Sequence, residues 1–297
     1  MRILVTGYNG FIGRHLARRL IADGHDVFGI DNFSTSIDDS GFSNNRFITF
    51  DICSGEEDYA ELSHATGPID CIFHLAALAR VQASFQDPVK WHDTNVTGTL
   101  KLLEFAKVNK IKKFIFASSS SVYGRSTTFG SSEHYKLSPK SPYALQKMQG
   151  EQMCKFYRDV YGIKTIALRY FNVYGEDQPA TGAYPQLIPS LLAKYRSAEP
   201  FVIYGSGEHR RDFTYVGDVV DANILAMNSG VSGTFNVGTG KNYSVNEVCD
   251  AIDRSHPRIY APAREEPDAT LACWVKAYDT LKWRSKTDLI AWIKSQI

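Results

Sequence analysis

The sequence has little of what disulfide-stabilised, metal-binding or membrane-spanning proteins need. Its five cysteines are scattered over 297 residues without a Cys-x-x-Cys pair, which argues against a disulfide framework or a zinc site and favours a reducing cytoplasm. No His-Glu-x-x-His or other close histidine pair occurs, so we expect no metal. The longest apolar stretches have the length of a strand, below the ~18 residues that a membrane helix requires.

An excess of charge of one sign is also missing. The formal net charge is +1, which gives no general reason to expect nucleic acid as a partner. No Gly-Lys-Ser/Thr follows the first glycines, which excludes a P-loop, and no Gly-x-Ser-x-Gly elbow supports a hydrolase. Hydrophobic residues make up 43% and charged residues 22% of the chain, which is typical of a globular protein.

Strand-like and helix-like segments alternate through the first 170 residues. Apolar runs predict buried parallel strands at 3–6, 27–30, 47–50, 71–75, 114–117 and 165–168. Helical patterns cover 13–22, 56–65, 88–109 and 142–161. This alternation predicts an α/β protein with a Rossmann-type doubly wound parallel sheet over residues 1–171. The looser pattern beyond predicts a smaller α/β substrate-binding lobe over 172–297, with 211–239 returning to the first domain.

Three glycines join the first predicted strand to the first helix. Gly7 permits a tight turn, Gly10 lets the backbone approach a pyrophosphate, and Gly13 lets helix and strand pack closely. The first N–H groups of the helix, from Phe11 and Ile12, would bind the phosphates. Because the glycines are three apart, unlike those of many dehydrogenases, a purely structural turn is the alternative.

An acidic residue follows the second predicted strand. Asp31 stands where a carboxylate can accept hydrogen bonds from the adenosine ribose and would repel a 2′-phosphate, which favours NAD over NADP. The alternative is that Asp31 only caps a loop. Further candidate cofactor contacts follow the second, third and fourth strands: Asn32, Asp51, Ile52, Leu75, Ala76 and Ala77.

A candidate catalytic pair lies on the helix that Ser141 caps and Pro142 begins. Tyr143 and Lys147 are one turn apart on one face. A free phenol, with a pKa of about 10, is a poor base at neutral pH, but a nearby cation favours its phenolate. Ser119 follows the fifth strand, where open α/β sheets bind ligands, and could hydrogen-bond a sugar hydroxyl or a developing oxyanion. A tyrosine and a lysine at this spacing often occur by chance on a helix surface, and a run of serines usually forms a polar turn. Neither motif by itself therefore identifies a catalytic site.

Together these motifs resemble the extended short-chain dehydrogenase/reductase family, in its NAD-dependent nucleotide-sugar epimerase/dehydratase branch. The resemblance runs from Thr-Gly-x-x-Gly-Phe-Ile-Gly at 6–13, through Ser-Pro-Tyr-Ala-x-x-Lys at 141–147, to Arg-Asp-Phe at 211–213. It implies Ser119 as the catalytic hydroxyl, Tyr143 as the base and Lys147 as its activator. It also implies NAD contacts from Asn95, Tyr143 and Lys147.

The resemblance further implies substrate contacts at Ser119, Ser120, Asn172, Arg211, Arg264 and Thr270. Asn172 and Arg211 would hold a diphosphate, a task suited to a forked guanidinium, with Arg210 as the alternative. Thr270 corresponds to a gate position, where Tyr goes with plain hexoses and a smaller residue with acetamido sugars. Residues 201–204 resemble a segment that hydrogen-bonds uracil, or form an ordinary buried strand.

The two positions after Ser119 separate the activities of this branch. The 4,6-dehydratases resemble one another in placing Asp-Glu there, as the acid and base for elimination, whereas this chain has Ser120 and Ser121. With no carboxylate for elimination, reversible oxidation of the sugar remains. This favours a 4-epimerase of a UDP-hexose or UDP-N-acetylhexosamine. A 4-keto-sugar reductase and a non-catalytic NAD-binding relative are the alternatives.

Two predicted helices, at 88–109 and 142–161, resemble those that pair across a homodimer interface in this family. Apolar residues on them could form such a surface: Val96, Leu100, Leu103, Met153 and Phe156. The alternative is that all of these side chains face the sheet.

Overall fold

The computed structural model describes residues 1–35, 46–124, 130–180, 186–263 and 267–297. The strands are β1 (Arg2–Thr6), β2 (Asp26–Asp31), β3 (Phe47–Thr49), β4 (Cys71–His74), β5 (Lys113–Ser119), β6 (Lys164–Tyr170), β7 (Val173–Tyr174), β8 (Phe201–Tyr204), β9 (Arg210–Arg211), β10 (Thr214–Tyr215), β11 (Gly233–Val237), β12 (Tyr243–Ser244) and β13 (Arg258–Ala261). The α-helices are α1 (Phe11–Ala22), α2 (Glu56–Thr66), α3 (Val81–Gln86), α4 (Pro88–His92), α5 (Gly98–Val108), α6 (Pro142–Tyr161), α7 (Leu187–Arg196), α8 (Val216–Asn228), α9 (Val245–Asp253), α10 (Val275–Leu281) and α11 (Leu289–Lys294).

The main sheet has seven parallel strands in the order β11-β6-β5-β4-β1-β2-β3. The chain moves outward from β1 to β3, then crosses back to β4 and continues outward on the other side. This reversal confirms the predicted doubly wound sheet. It also leaves a crevice between the carboxyl ends of β1 and β4, where such sheets bind ligands.

Helices cover both faces of this sheet. On one face α1, α8 and α10 bury side chains such as Leu16, Val219 and Leu281 against the strands. On the other face α2, α5 and α6 do the same, for example through Leu62 and Leu102. Burial on both faces explains why the strands read as continuous apolar runs rather than alternating patterns.

Helix α6 begins and ends where the local sequence predicts. The Ser141 hydroxyl accepts a hydrogen bond from the Ala144 N–H at 3.1 Å, and Pro142 occupies the first turn. Gly162 ends the helix in a left-handed conformation with φ of 73°, which glycine adopts without steric cost.

The helix predicted over 88–109 is interrupted. A π-helical turn, Asp93–Thr97, separates α4 from α5. Within this turn Asn95 is buried and hydrogen-bonded to two other segments, and the Thr99 hydroxyl donates to its carbonyl oxygen at 2.7 Å. These tertiary contacts account for the extra residue in the turn, which the apolar pattern alone did not indicate.

Beyond residue 172 the chain forms short paired strands around a separate apolar cluster. That cluster includes Tyr174, Leu191, Phe201 and Val248. Strand β11 joins the main sheet beside β6, and α8 contacts α1. Within the described ranges, no helix combines the length and apolarity needed to cross a membrane.

Candidate active site

A cleft opens at the carboxyl ends of β1, β2 and β4. Most of the predicted cofactor contacts line it together: Gly7, Gly10, Asp31, Asn32, Ile52, Leu75, Ala76 and Ala77. Phe50 and Thr94 also line this cleft, and sequence reasoning missed both. Residues from four separate loops therefore converge on one groove at the switch point of the sheet.

The glycine turn leaves room that a side chain would fill. Gly7 has a φ of 66°, and a Cβ there would lie 2.7 Å from the Ala76 nitrogen. A Cβ on Gly13 would lie 2.1 Å from the Gly7 carbonyl oxygen. Gly10 caps α1 without a side-chain hydrogen bond, so the cap residue itself provides no acceptor for the first-turn N–H groups of Phe11 and Ile12. The turn therefore fits a pyrophosphate at a helix N-terminus.

Asp31 both fixes this turn and faces the cleft. Its two carboxylate oxygens accept hydrogen bonds from the Asn9 N–H at 3.0 Å and the Phe33 N–H at 2.9 Å. Asp31 also lines the cleft, where a carboxylate is a suitable acceptor for the hydroxyls of a ribose diol. Beside it, Asn32 donates to the Asp51 carboxylate at 2.9 Å. The residues present thus fit a dinucleotide such as NAD.

The last residue of β4, His74, is a buried and neutral histidine. Thr99 donates its hydroxyl proton to the Asn95 carbonyl, so it must accept from His74 Nε2, 2.9 Å away. His74 Nδ1 then accepts from the Thr6 hydroxyl at 2.8 Å. Burial, with a smaller contribution from the charge of Lys147, lowers the pKa of His74 to about 3. This imidazole therefore positions the strand ends and does not titrate at neutral pH.

Asn95, predicted to contact the cofactor, lies behind the wall of the cleft. Its side-chain oxygen accepts from the Leu78 N–H at 2.9 Å, and its amide nitrogen donates to the Leu78 carbonyl at 3.1 Å. The same nitrogen donates to Gln146 Oε1 at 3.0 Å. Asn95 therefore connects the loop after β4 with the helix that carries Tyr143.

The predicted catalytic side chains meet at the end of β5. Tyr143 and Lys147 are 8% and 3% exposed on the first turns of α6. Lys147 Nζ donates to the Ala117 carbonyl at 2.8 Å and lies 5.9 Å from the centre of the Tyr143 ring. Ser119, the last residue of β5, lies near enough to the Tyr143 phenol for its hydroxyl to lower the pKa of that phenol. Ser120 follows it as the first residue of a 3₁₀ turn, Ser120–Tyr123.

Burial has opposite effects on the two titratable groups. It raises the pKa of Tyr143 to about 12, although the neighbouring Ser119 hydroxyl acts to lower it. It lowers the pKa of Lys147 to about 8, which leaves the ammonium mostly charged at pH 7. Without a bound cofactor the phenol is therefore protonated, and a further positive charge beside it would favour the phenolate.

A buried ion pair supports this site from behind. Arg169 on β6 binds Glu151 through two hydrogen bonds of 2.8 and 2.6 Å. Ser118, next to Ser119, also donates to Glu151, and Arg169 donates to the Tyr123 phenol at 2.7 Å. Sequence reasoning assigned neither member a role, although Glu151 lies one helical turn after Lys147 and hence on the same face.

Three predicted substrate contacts lie near one another in the part of the chain beyond residue 171. Asn172 Nδ2 donates to the Thr270 hydroxyl at 3.1 Å and to the Asp212 carbonyl at 3.2 Å. Arg211 donates to the Pro267 carbonyl at 2.8 Å. The Arg210 guanidinium, the alternative to Arg211, binds Asn242 and Glu247. Arg264 lies outside the described residues.

Asp212 holds this region together and was missed from the sequence. Its carboxylate is fully buried and accepts hydrogen bonds from the backbone N–H groups of Thr239, Gly240 and Ala272. Its backbone N–H donates to Thr270. The only signal was its place between Arg211 and Phe213 in a family motif.

No group of three or more His, Cys, Asp or Glu side chains that could hold a metal ion occurs in the part of the chain that the structure describes.

Comparisons with known proteins point to one group. Residues 3–238 match the model of the NAD dependent epimerase/dehydratase family. The UDP-glucose 4-epimerase of Thermotoga maritima, solved with UDP-glucose, is 34% identical, with a TM-score of 0.94 over 99% of this chain and 96% of that one. The UDP-N-acetylglucosamine 4-epimerase of Methanobrevibacter ruminantium, solved with UDP-N-acetylmuramic acid, is 33% identical, with a TM-score of 0.89 over 100% and 99%. The UDP-glucose 4-epimerase of Thermus thermophilus, solved with NAD, is 31% identical, with a TM-score of 0.92 over 99% and 97%.

Proposed function

Because the chain belongs to the NAD-dependent epimerase/dehydratase family, we propose that it is a 4-epimerase of a UDP-linked hexose or N-acetylhexosamine. Membership confirms the resemblance identified from the motifs, and with it NAD as the cofactor. The observation that carries the proposal is the meeting of Ser119, Tyr143 and Lys147 at the end of β5, beside the dinucleotide cleft.

The proposed reaction is a reversible oxidation at C4 of the sugar. Tyr143, as the phenolate, takes the proton of the 4-hydroxyl, while the charge of Lys147 favours the ionised phenol. Ser119 steadies the same oxygen by hydrogen bonding. NAD held by the glycine turn and Asp31 would supply the acceptor for the C4 hydride and, in its reduced form, the hydride donor for the other face of the 4-keto sugar. The second lobe must therefore hold the nucleotide while the sugar turns.

The carboxylates near the site argue against elimination of water. Positions 120 and 121 carry hydroxyls. Glu151, the buried carboxylate behind Ser118, is committed to Arg169 through two hydrogen bonds. Both of its oxygens accept charge-assisted hydrogen bonds from Arg169, so this carboxylate serves the ion pair.

The substrate diphosphate is assigned to Asn172 and Arg211. Asn172 donates hydrogen bonds to Thr270 and to the carbonyl of Asp212, and Arg211 on β9 directly precedes Asp212 in the chain. We also propose that the small Thr270 leaves room for an N-acetyl group. Arg264 stays a prediction from the resemblance, as do the assignments of Asn95 and Ser120.

The proposed function is tested by giving the purified protein UDP-N-acetylglucosamine or UDP-glucose without added cofactor. The galacto epimer is expected by NMR or chromatography, because the NAD is regenerated in each turnover. If neither UDP-sugar is converted and NAD(P)H is consumed with a 4-keto sugar, the chain is instead a reductase.

Tyr143→Phe is expected to lower turnover by about 10²–10⁴-fold, the usual contribution of a positioned acid or base. The ring and its packing stay, so the NAD content of the purified variant should match that of the wild type. NAD content is measured after denaturation, and turnover with the sugar found active. Unchanged turnover would remove Tyr143 as the base.

We further propose a homodimer through α5 and α6. Leu100 and Phe156, both predicted interface residues, are 42% and 52% exposed, and Leu145 on α6 is 44% exposed. Leu103 instead packs in the core, as the alternative interpretation held. Light scattering at micromolar concentration should give twice the mass of one chain, whereas a monomer mass would contradict the proposal.

We also propose that residues 1–171 with 211–239 form the NAD-binding domain and that the rest of 172–297 forms the substrate lobe. The pairing of β11 with β6 supports this division. A cytoplasmic location is supported by the free thiols of all five cysteines.

A further inference from the structure

Ser121 contacts the catalytic hydroxyl through two hydrogen bonds. Its backbone N–H donates to Ser119 Oγ at 3.2 Å, where Ser119 caps the 3₁₀ turn. Its side-chain hydroxyl lies 2.9 Å from the same oxygen and donates to it. Ser119 in turn lies close enough to the Tyr143 phenol for its hydroxyl to lower the pKa of that phenol, so the two serine hydroxyls lead towards the phenol oxygen.

The hydrogen-bonding capacity of Ser119 limits what it can do. A hydroxyl has one donor proton and two acceptor lone pairs. When both lone pairs accept from Ser121, Ser119 can act only as a donor. Its proton then points to the Tyr143 oxygen or to a sugar oxygen beside it.

We propose that Ser121 is a positioning residue for the epimerase reaction, because it holds Ser119 as a hydrogen-bond donor towards the Tyr143 oxygen and the reacting sugar oxygen. This inference rests on the proposed function. During oxidation the O4–H bond of the sugar breaks and an O–H bond forms on Tyr143, while Ser119 neither gains nor loses a proton. The Ser119 hydroxyl donates its hydrogen bond first to the phenolate oxygen and then to the oxygen of the developing carbonyl.

The arrangement gives Ser121 an influence on rate without substrate contact. Hydrogen bonds in a chain polarise one another, so the bond from Ser121 makes Ser119 a stronger donor. Donors to an ionised oxygen are worth more than neutral ones. The stabilisation by Ser121 is therefore largest while the phenolate or the sugar oxygen carries negative charge. Because that charge is present during the chemical step, loss of Ser121 should lower kcat and leave KM unchanged.

The test compares Ser121→Thr with Ser121→Val, two side chains of nearly the same shape that differ in the hydroxyl. Both variants keep the backbone N–H and the Ser119 cap, so the 3₁₀ turn should form in each. Ser121→Ala adds a variant without any added methyl group. For all of them kcat and KM are measured with the active UDP-sugar, together with the bound NAD content.

We expect Ser121→Thr to keep kcat within about threefold of the wild type. Ser121→Val and Ser121→Ala should lose about ten- to hundredfold in kcat, the range for a charge-assisted hydrogen bond, with KM and NAD content little changed. Equal kcat values for the Thr and Val variants, or a change confined to KM, would overturn the role of Ser121. A wild-type protein that epimerises no UDP-sugar would instead overturn the proposed function, and this inference with it.

Discussion

The dinucleotide cleft differs in residue type from the neighbouring catalytic wall, the name used here for Ser119, Tyr143 and Lys147 together with the buried pair of Glu151 and Arg169. The cleft is formed by glycines, alanines, apolar side chains and backbone N–H groups, with Asp31 held in place by two backbone donors. The wall contains buried charged groups, namely Lys147 and the pair of Glu151 with Arg169. Binding a dinucleotide mainly requires shape and free N–H groups. Moving a proton requires charge held in a low-dielectric environment, where each charged group needs a partner.

This contrast predicts that the wall is most sensitive to loss of a charged partner. Glu151→Gln leaves Arg169 buried without its carboxylate, which should lower the free energy of unfolding by about 3–5 kcal/mol. The control is Asp159→Asn on the same helix, since its partners Lys155 and Arg158 have side chains that are 69% and 30% exposed, and a much smaller loss is expected for a surface ion pair. Urea unfolding measures both, and equal losses would contradict the contrast.

The charge of Lys147 should make stability depend on pH. Burial lowers its pKa from 10.5 to about 8, so between these values the unfolded state binds more protons than the folded state. Stability of the cofactor-free protein should therefore rise with pH across this window, by a contribution on the order of 3 kcal/mol.

Lys147→Met removes that group and serves as the reference for the pH measurement. Urea unfolding of both proteins at several pH values gives the difference curve, in which other titrating groups cancel. Parallel curves for the wild type and the variant would show that Lys147 has an ordinary pKa in the folded protein.

The cleft, in contrast, should be most sensitive to an added methyl group. Gly13→Ala places a Cβ against the backbone of Gly7, which should cost about 1–3 kcal/mol and reduce the NAD retained on purification. Gly230→Ala is the matched control, since nothing lies within 4 Å of a Cβ at that position. If Gly13→Ala retains full NAD content, the close packing of the turn is not needed for binding.

The smallest effect is expected in the substrate lobe. Thr270→Val keeps the shape but removes the oxygen that accepts from Asn172 and Asp212. We expect a rise of about tenfold in KM for the UDP-sugar, equivalent to about 1.4 kcal/mol, with NAD content unchanged. Thr270→Ser, which keeps the hydroxyl, should restore KM, and failure to do so would assign the effect to packing alone.

Local sequence signals predicted the parts of the site that neighbouring residues build. The bounds of α6 follow from Ser141, Pro142 and Gly162, all within or beside the helix. The glycine turn and Asp31 follow from the same kind of local pattern. The helix predicted over 88–109 forms, but it contains a π-helical turn at Asp93–Thr97, where Asn95 bonds to Leu78 and Gln146, which are distant in sequence.

The sequence by itself determined the fold class, the dinucleotide turn and the spacing of Tyr143 and Lys147, because backbone sterics, capping and helical periodicity act over a few residues. Only the tertiary structure decided which partners the polar side chains have. Ser121 donates to Ser119, Glu151 forms an ion pair with Arg169, and Asp212 accepts from the backbone N–H groups of Thr239 and Ala272. A polar side chain can choose among many partners of similar strength. The choice is made when burial removes water and leaves each group only the partners that the packed chain brings within reach.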